Sequence, residues 1–158
     1  MQHPEMVVPA RLFIGLVILG ITLSAPAQEI PLEKAEAAIK YRQNVMSALG
    51  GLAGTVVGQL RDGFSYGPDL KDVTVALRTL STDIPALFPT GTDVGETKAK
   101  AEVWSKRQQF EEAASTAKEK IGAFADAVDQ GERGAIFGAF KEVGDACKGC
   151  HDDFRKDD

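Results

Sequence analysis

Cysteine is scarce in this chain of 158 residues: there are two, Cys147 and Cys150. That excludes a disulfide-stapled scaffold. With one neighbouring histidine they make three N/S ligands, one short of a closed zinc tetrahedron. Aromatic residues amount to 7% and the apolar remainder is rich in alanine. A core of alanines is thin for this length and suits a bundle completed by a large apolar group. Positive charge is in deficit, with 18 Lys and Arg against 23 Asp and Glu, a net charge of -5 and a pI near 5.1. This balance argues against nucleic acid and anionic membrane surfaces, and favours a docking partner with a basic face. No run alternates with the period of a strand, and no internal repeat or low-complexity tract is present. A long apolar run occurs once, from Leu12 to Leu23, and it is too short to cross a bilayer comfortably.

That run has the form of a targeting segment. Arg11 ends a short polar region before it, and Ala25-Pro26-Ala27 after it has the small-x-small form of a cleavage site. Residues 1–27 are therefore expected to be a secretory signal peptide, with an uncleaved anchor as the alternative, and residues 28–158 a single domain. Removing the leader takes away Glu5 and Arg11, one charge of each sign, so the net charge stays at -5. It also takes away His3, Met1 and Met6, leaving His151 and Met46 as the only histidine and methionine of the mature chain. An exported chain works in an oxidising compartment, in a Gram-negative cell the periplasm, and is expected to be soluble there.

The domain reads as helix throughout. Ile39, Met46, Ala53 and Leu60 repeat at seven over an expected helix from Pro31 to Arg61, with Pro31 suited to a first turn. Gly50, Gly54 and Gly58 continue the i,i+4 series from Met46, with Gly51 beside them. Each costs about 0.5–1 kcal/mol relative to alanine inside a helix, so something must approach the backbone. Tight helix packing or a subunit contact is one explanation; room for a cofactor edge beside Met46 is the other. A second helix is expected from Pro68 to Ile84, on the seam Leu70, Val73, Leu77, Leu80 and Ile84. Pro85, Pro89, Gly91 and Gly95 then mark a crossing loop. A third helix is expected from Lys98 to Asp129, on Val103, Phe110, Ala117, Ile121, Phe124 and Val128. Lys106, Arg107, Glu111, Glu112, Lys118 and Glu119 read as its solvated face, and Trp104 as a core or loop-anchoring aromatic. Gly131 closes it, and a fourth helix follows almost at once from Glu132 to Arg155, which forces the last two to be antiparallel neighbours. The fold class is all-α, an antiparallel four-helix bundle.

The chemistry is concentrated in Cys147-Lys148-Gly149-Cys150-His151. The spacing C-x-x-C-H is that of covalent haem attachment: two thiols add across the two vinyl groups of one haem, and the adjacent imidazole ligates its iron. On a helix these residues lie at i, i+3 and i+4 and share one face. A redox C-x-x-C pair is the competing reading, but it belongs in a βαβ pattern that is absent here. The expected cofactor is one covalent haem c.

Several segments together resemble the class II c-type cytochromes, the cytochrome c prime family. They are Lys40-Tyr41-Arg42-Gln43, Phe64 to Pro68, Glu102-Val103-Trp104-Ser105, and Val143 through the haem motif to Arg155. The resemblance implies a four-helix bundle with haem near the C-terminus, and often a homodimer. It implies haem-propionate contacts for Arg42 and Gln43, and a proximal basic residue at Arg155. It also divides into two branches. In one the iron is five-coordinate and binds nitric oxide or carbon monoxide behind an apolar guard on the first helix; in the other a methionine there closes the sixth site.

The position in question is Met46, and Met46 with Gly50 resembles the methionine-ligated branch. Read from the residues alone, Met46 is an ordinary core methionine filling a gap; with the resemblance, it is expected as the second axial ligand. The leading expectation is thus a periplasmic monohaem electron carrier with His151 and Met46 on the iron, serving redox partner proteins. The alternative is a gas-binding cytochrome c prime with an open sixth site. An enzyme or sensor acting through free Cys147 and Cys150 thiols is a third reading; with no second histidine to act as base, the expectation is that the chain is not an enzyme.

Overall fold

In the computed structural model of the chain, the described residues are 30–63 and 69–157. The signal-peptide expectation and the Phe64 to Pro68 match lie outside them. The architecture is all-helical, built from α1 Leu32–Arg61, α2 Leu70–Leu80, a 3-10 turn Pro85–Leu87, a short α3 Glu102–Ser105, α4 Arg107–Gln130 and α5 Arg133–Phe154. The four longer helices form the bundle.

Helix α1 starts directly after Pro31, with Glu33 in its first turn and Arg61 in its last, each of the sign that its end of the helix dipole favours. Helix α2 is capped by Asp69, whose side chain accepts from the Asp72 amide at 2.9 Å. It stops at Leu80, one turn short of the expected Ile84. The hydroxyls of Ser81 and Thr82 both donate to the Arg78 carbonyl, at 3.3 and 2.9 Å, and so take over an acceptor at the helix end. Pro85 then opens the 3-10 turn instead of extending the helix.

The expected third helix is also divided. Residues 98–100 are extended, because they pair with the chain's C-terminal end: Lys100 N donates to Phe154 O at 2.9 Å and Lys156 N to Lys98 O at 2.7 Å. Helix α3 follows, and a break at Lys106 (φ -117°, ψ 46°) separates it from α4. Gly131 ends α4 with φ 78°, a left-handed turn that glycine adopts without penalty, and α5 begins two residues later.

Helix α2 packs on α1 and α4, and α4 on α5, so three sides of the bundle are closed. Its core falls into two clusters. One joins all four long helices through Val56, Leu60, Val73, Leu77, Ile121, Phe124, Val128, Ile136 and Val143. The other lies where α5 ends and the crossing loop passes, and comprises Ile84, Phe88, Val103, Phe110, Ala114 and Phe154. There the rings of Trp104, Phe88, Phe110 and Phe154 make successive edge-on contacts, with centroids 6.3, 4.9 and 5.3 Å apart.

Candidate functional site

Cys147, Cys150 and His151 stand on the last two turns of α5, at the helical spacing that places them on one face. Both thiols are free and half-buried. Cys147 packs against the core cluster around Phe124, and Cys150 against the cluster around Phe88 and Phe110. Burial pushes the Cys147 thiol up. Burial, with the charges of Cys147 and Asp153 adding to it, pushes Cys150 up to about 11. Such thiols stay protonated at neutral pH and make weak nucleophiles, which weighs against free-thiol enzymology. His151 is at the surface; partial desolvation and the charge of Arg155 lower its pKa, against an opposing pull from Asp152. The ring is therefore neutral at neutral pH, the form a metal requires.

Opposite these residues the bundle is open. Among the described residues α1 packs on α2 and on the 85–87 turn, with no extended backbone approach to α5. The buried positions of α1 reflect this: Ala35, Ile39, Arg42 and Val45 at one end, Val56 and Leu60 at the other. Between them Met46, Leu49, Leu52 and Ala53 are only half-covered. On α5 the same happens between Val143 and Phe154, where Ala146, Cys147 and Cys150 are half-covered. The two stretches belong together, since Met46 joins the cluster of Cys150, and Leu49 and Leu52 that of Cys147. A methyl group added at Gly50, Gly54, Gly144 or Gly149 would meet nothing within 4 Å. Tight packing within the chain therefore does not explain the α1 glycines. A half-covered apolar seam with two thiols along one wall, and His151 next in the chain after the second, fits a flat, apolar, covalently attached group.

Arg42 and Gln43 are turned to the crossing loop. Arg42 is 2% exposed. Its Nη1 donates to Thr92 Oγ1 at 2.7 Å, and its Nη2 to Thr92 O at 2.8 Å and Thr97 Oγ1 at 2.6 Å. Its guanidinium also lies 4.8 and 5.5 Å from the ring centres of Phe88 and Trp104. Desolvation lowers its pKa, with Asp93 opposing. Gln43 Nε2 donates to Glu96 O at 3.1 Å. Trp104 anchors the loop as its type suggested, through Nε1 to Pro89 O at 3.0 Å. Arg107 corrects the reading of a solvated face, since its Nη1 and Nη2 hold Phe88 O and Pro85 O, both at 3.0 Å. Thr92 and Thr97, the partners of Arg42, carried no signal in the sequence: a threonine in a glycine-rich loop is ordinary.

The family model of cytochrome c' matches residues 37–155. The chain belongs to the cytochrome c' family. It is 32% identical over 126 residues to cytochrome c' of Pararhodospirillum photometricum, covering 77% of this chain and 98% of that one. A nitric oxide complex of a variant of Alcaligenes xylosoxidans cytochrome c' superposes with a TM-score of 0.72 at 30% identity, covering 78% and 97% of the two chains. A carbon monoxide-bound variant of the same protein superposes with a TM-score of 0.71 at 31% identity over the same shares. Haem c is accordingly the cofactor, and the bundle is the family's four-helix bundle.

These relatives correct the leading expectation. The methionine-ligated branch and the His/Met electron carrier are not what they support, because a thioether and a gas compete for one coordination position and the two solved neighbours described above carry a gas. Met46 packs against the buried cluster of Ile84, Phe88, Val103, Phe110, Ala114 and Phe154, surroundings that suit a flexible apolar side chain.

Proposed function

We propose that this chain is a gas-binding cytochrome c', exported by its N-terminal leader to the periplasm. Cys147 and Cys150 are its haem attachment points, His151 the protein's ligand to the iron, and Met46 the apolar guard on the gas-binding side. When bound, haem c supplies an iron that can take a small ligand such as nitric oxide or carbon monoxide. The chain's own part is to set what reaches it. The observation that carries this reading is the company of Met46: the cluster it shares with Cys150 is built of Ile84, Phe88, Val103, Phe110, Ala114 and Phe154. The side chains of this cluster have no hydrogen-bonding group to offer a polar adduct, and distal polarity and steric access decide which gases are held. Apolar neutral gases suit it. The glycines along α1 leave the seam unfilled beside Met46, which deepens the space available to the cofactor. Among the described residues the side chains packed around Met46 and Cys150 are apolar, so binding rather than catalysis is the function we assign.

Titration of the reduced holoprotein with nitric oxide tests the assignment. One equivalent of gas per chain should saturate the absorption change; no spectral response would reject it.

A further inference from the structure

The seam between α1 and α5 lacks an extended backbone approach among the described residues, yet the two helices are tied at one end through the chain between them. Thr97 is the centre of that tie. Its Oγ1 accepts from Arg42 Nη2 at 2.6 Å and from the Ala99 amide at 3.1 Å, and its carbonyl accepts from Lys156 Nζ at 3.1 Å. Next to it, Ala99 and Arg155 form an antiparallel bridge, closed by Lys100 N to Phe154 O at 2.9 Å and Lys156 N to Lys98 O at 2.7 Å. Lys100 Nζ adds a bond to Asp152 O at 2.7 Å, so the carbonyls of Thr97, Lys98, Asp152 and Phe154 are all held by one short clasp. Arg155, inside that clasp, is the residue whose amide caps the His151 carbonyl at 2.9 Å.

Both ends of the tie lie one helical turn from a residue of the site. Arg42 precedes Met46 by four residues on α1, and Arg155, the residue that caps the end of α5, follows His151 by four. Arg42 is itself immobilised, with Thr92 holding two of its bonds and the Phe88 and Trp104 rings against its plane. The path from the Met46 turn to the His151 turn is therefore short and hydrogen-bonded at every joint: Arg42, Thr97, the 98–100 segment, the 154–156 segment, His151.

We propose that Thr97 is a positioning residue for gas binding: through its hydroxyl, the Arg42 anchor and the C-terminal clasp together set the separation between Met46 on α1 and His151 on α5. The inference rests on the gas-binding reading above. It assigns to a loop threonine the control of how open the seam stands at the reacting end, with no contact to the gas.

The test uses the holoprotein with Thr97→Val, which keeps the shape and removes the hydroxyl, and Thr97→Ser, which restores it. The readouts are the association rate of carbon monoxide with the reduced protein and the circular dichroism of the main haem band, which reports how the cofactor sits whether or not gas binds. Displacements of about an ångström change reactivity by up to ~100-fold, so Thr97→Val should speed association by about tenfold. It should also alter the haem dichroism, and Thr97→Ser should return both to the parent values. Lys156→Met attacks the clasp from its other strand and should move the same two readouts, which keeps the test decisive if Thr97→Val does not fold. A folded Thr97→Val, or failing that Lys156→Met, with a lower Tm but unchanged association rate and dichroism would overturn the proposal. A parent protein that takes up no carbon monoxide would sink the gas-binding reading instead, and the haem dichroism of the variants would still decide the role of Thr97.

Discussion

At the residue scale, Met46 separates the two branches of the family, and its surroundings speak for a packed side chain. In the proposed role of guard it would limit access by bulk alone, so Met46→Ala should admit gas faster. We expect the carbon monoxide association rate of the reduced holoprotein to rise by about tenfold or more, since small geometric changes at a reacting position carry effects of this order. Flash photolysis measures it, and an unchanged rate would remove Met46 from the site. Cys150 makes the opposite kind of prediction, about what the site does not do. Its thiol is pushed up to about 11. The folded state favours the protonated form, so stability gained from it is present at neutral pH and is lost as pH rises from the ordinary thiol range through about 11. Alkylation of the haem-free chain, with its helix content checked by circular dichroism, should be slow at pH 8 and accelerate through pH of about 11. Rapid alkylation of the folded chain at neutral pH would restore the free-thiol reading.

The attachment motif was legible at this scale because its chemistry is local: three residues within five positions state the whole requirement. Met46 was legible as a position facing the interior, but its role was not, since a thioether that packs and one that ligates have the same sequence. Arg42 is the harder case. Its burial was hidden because the hydroxyls of Thr92 and Thr97 that satisfy it lie 50 and 55 residues away, in a loop without periodicity.

At the element scale, α1 and α5 follow their apolar spacing closely, and the Gly131 stop was correctly placed. The helices depart from that spacing where backbone partners outweigh propensity. Ser81 and Thr82 end α2 before its seam runs out, and the pairing of 98–100 with the C-terminal segment prevents an earlier start to α3. Apolar period alone registers neither effect. Gly131 offers a clean element-level test. Its φ of 78° lies in the left-handed region, and no neighbouring atom lies within 4 Å of an added methyl, so Gly131→Ala reports backbone strain alone. Urea unfolding of the holoprotein should show a loss of about 1–2 kcal/mol. A neutral substitution would mean that the turn between α4 and α5 relaxes freely.

For the whole molecule, the bundle closes on three sides and leaves the fourth apolar and half-covered, which is what the thin alanine-rich core led one to expect of a chain completed by its cofactor. Ion pairs such as Lys71–Asp129, Arg78–Asp126 and Lys120–Glu142 bridge adjacent helices but are solvent-exposed, so they contribute little beside the apolar contacts. The family was legible from the haem motif and its distance from the N-terminus, whereas the branch was not, because it turns on one coordination position. That position is also where the account is most exposed. The visible absorption spectrum of the purified holoprotein, reduced and then exposed to carbon monoxide, examines it directly. A gas-binding cytochrome c' with Met46 as guard predicts broad high-spin bands that change promptly on adding the gas. Sharp low-spin bands that carbon monoxide leaves untouched would contradict it.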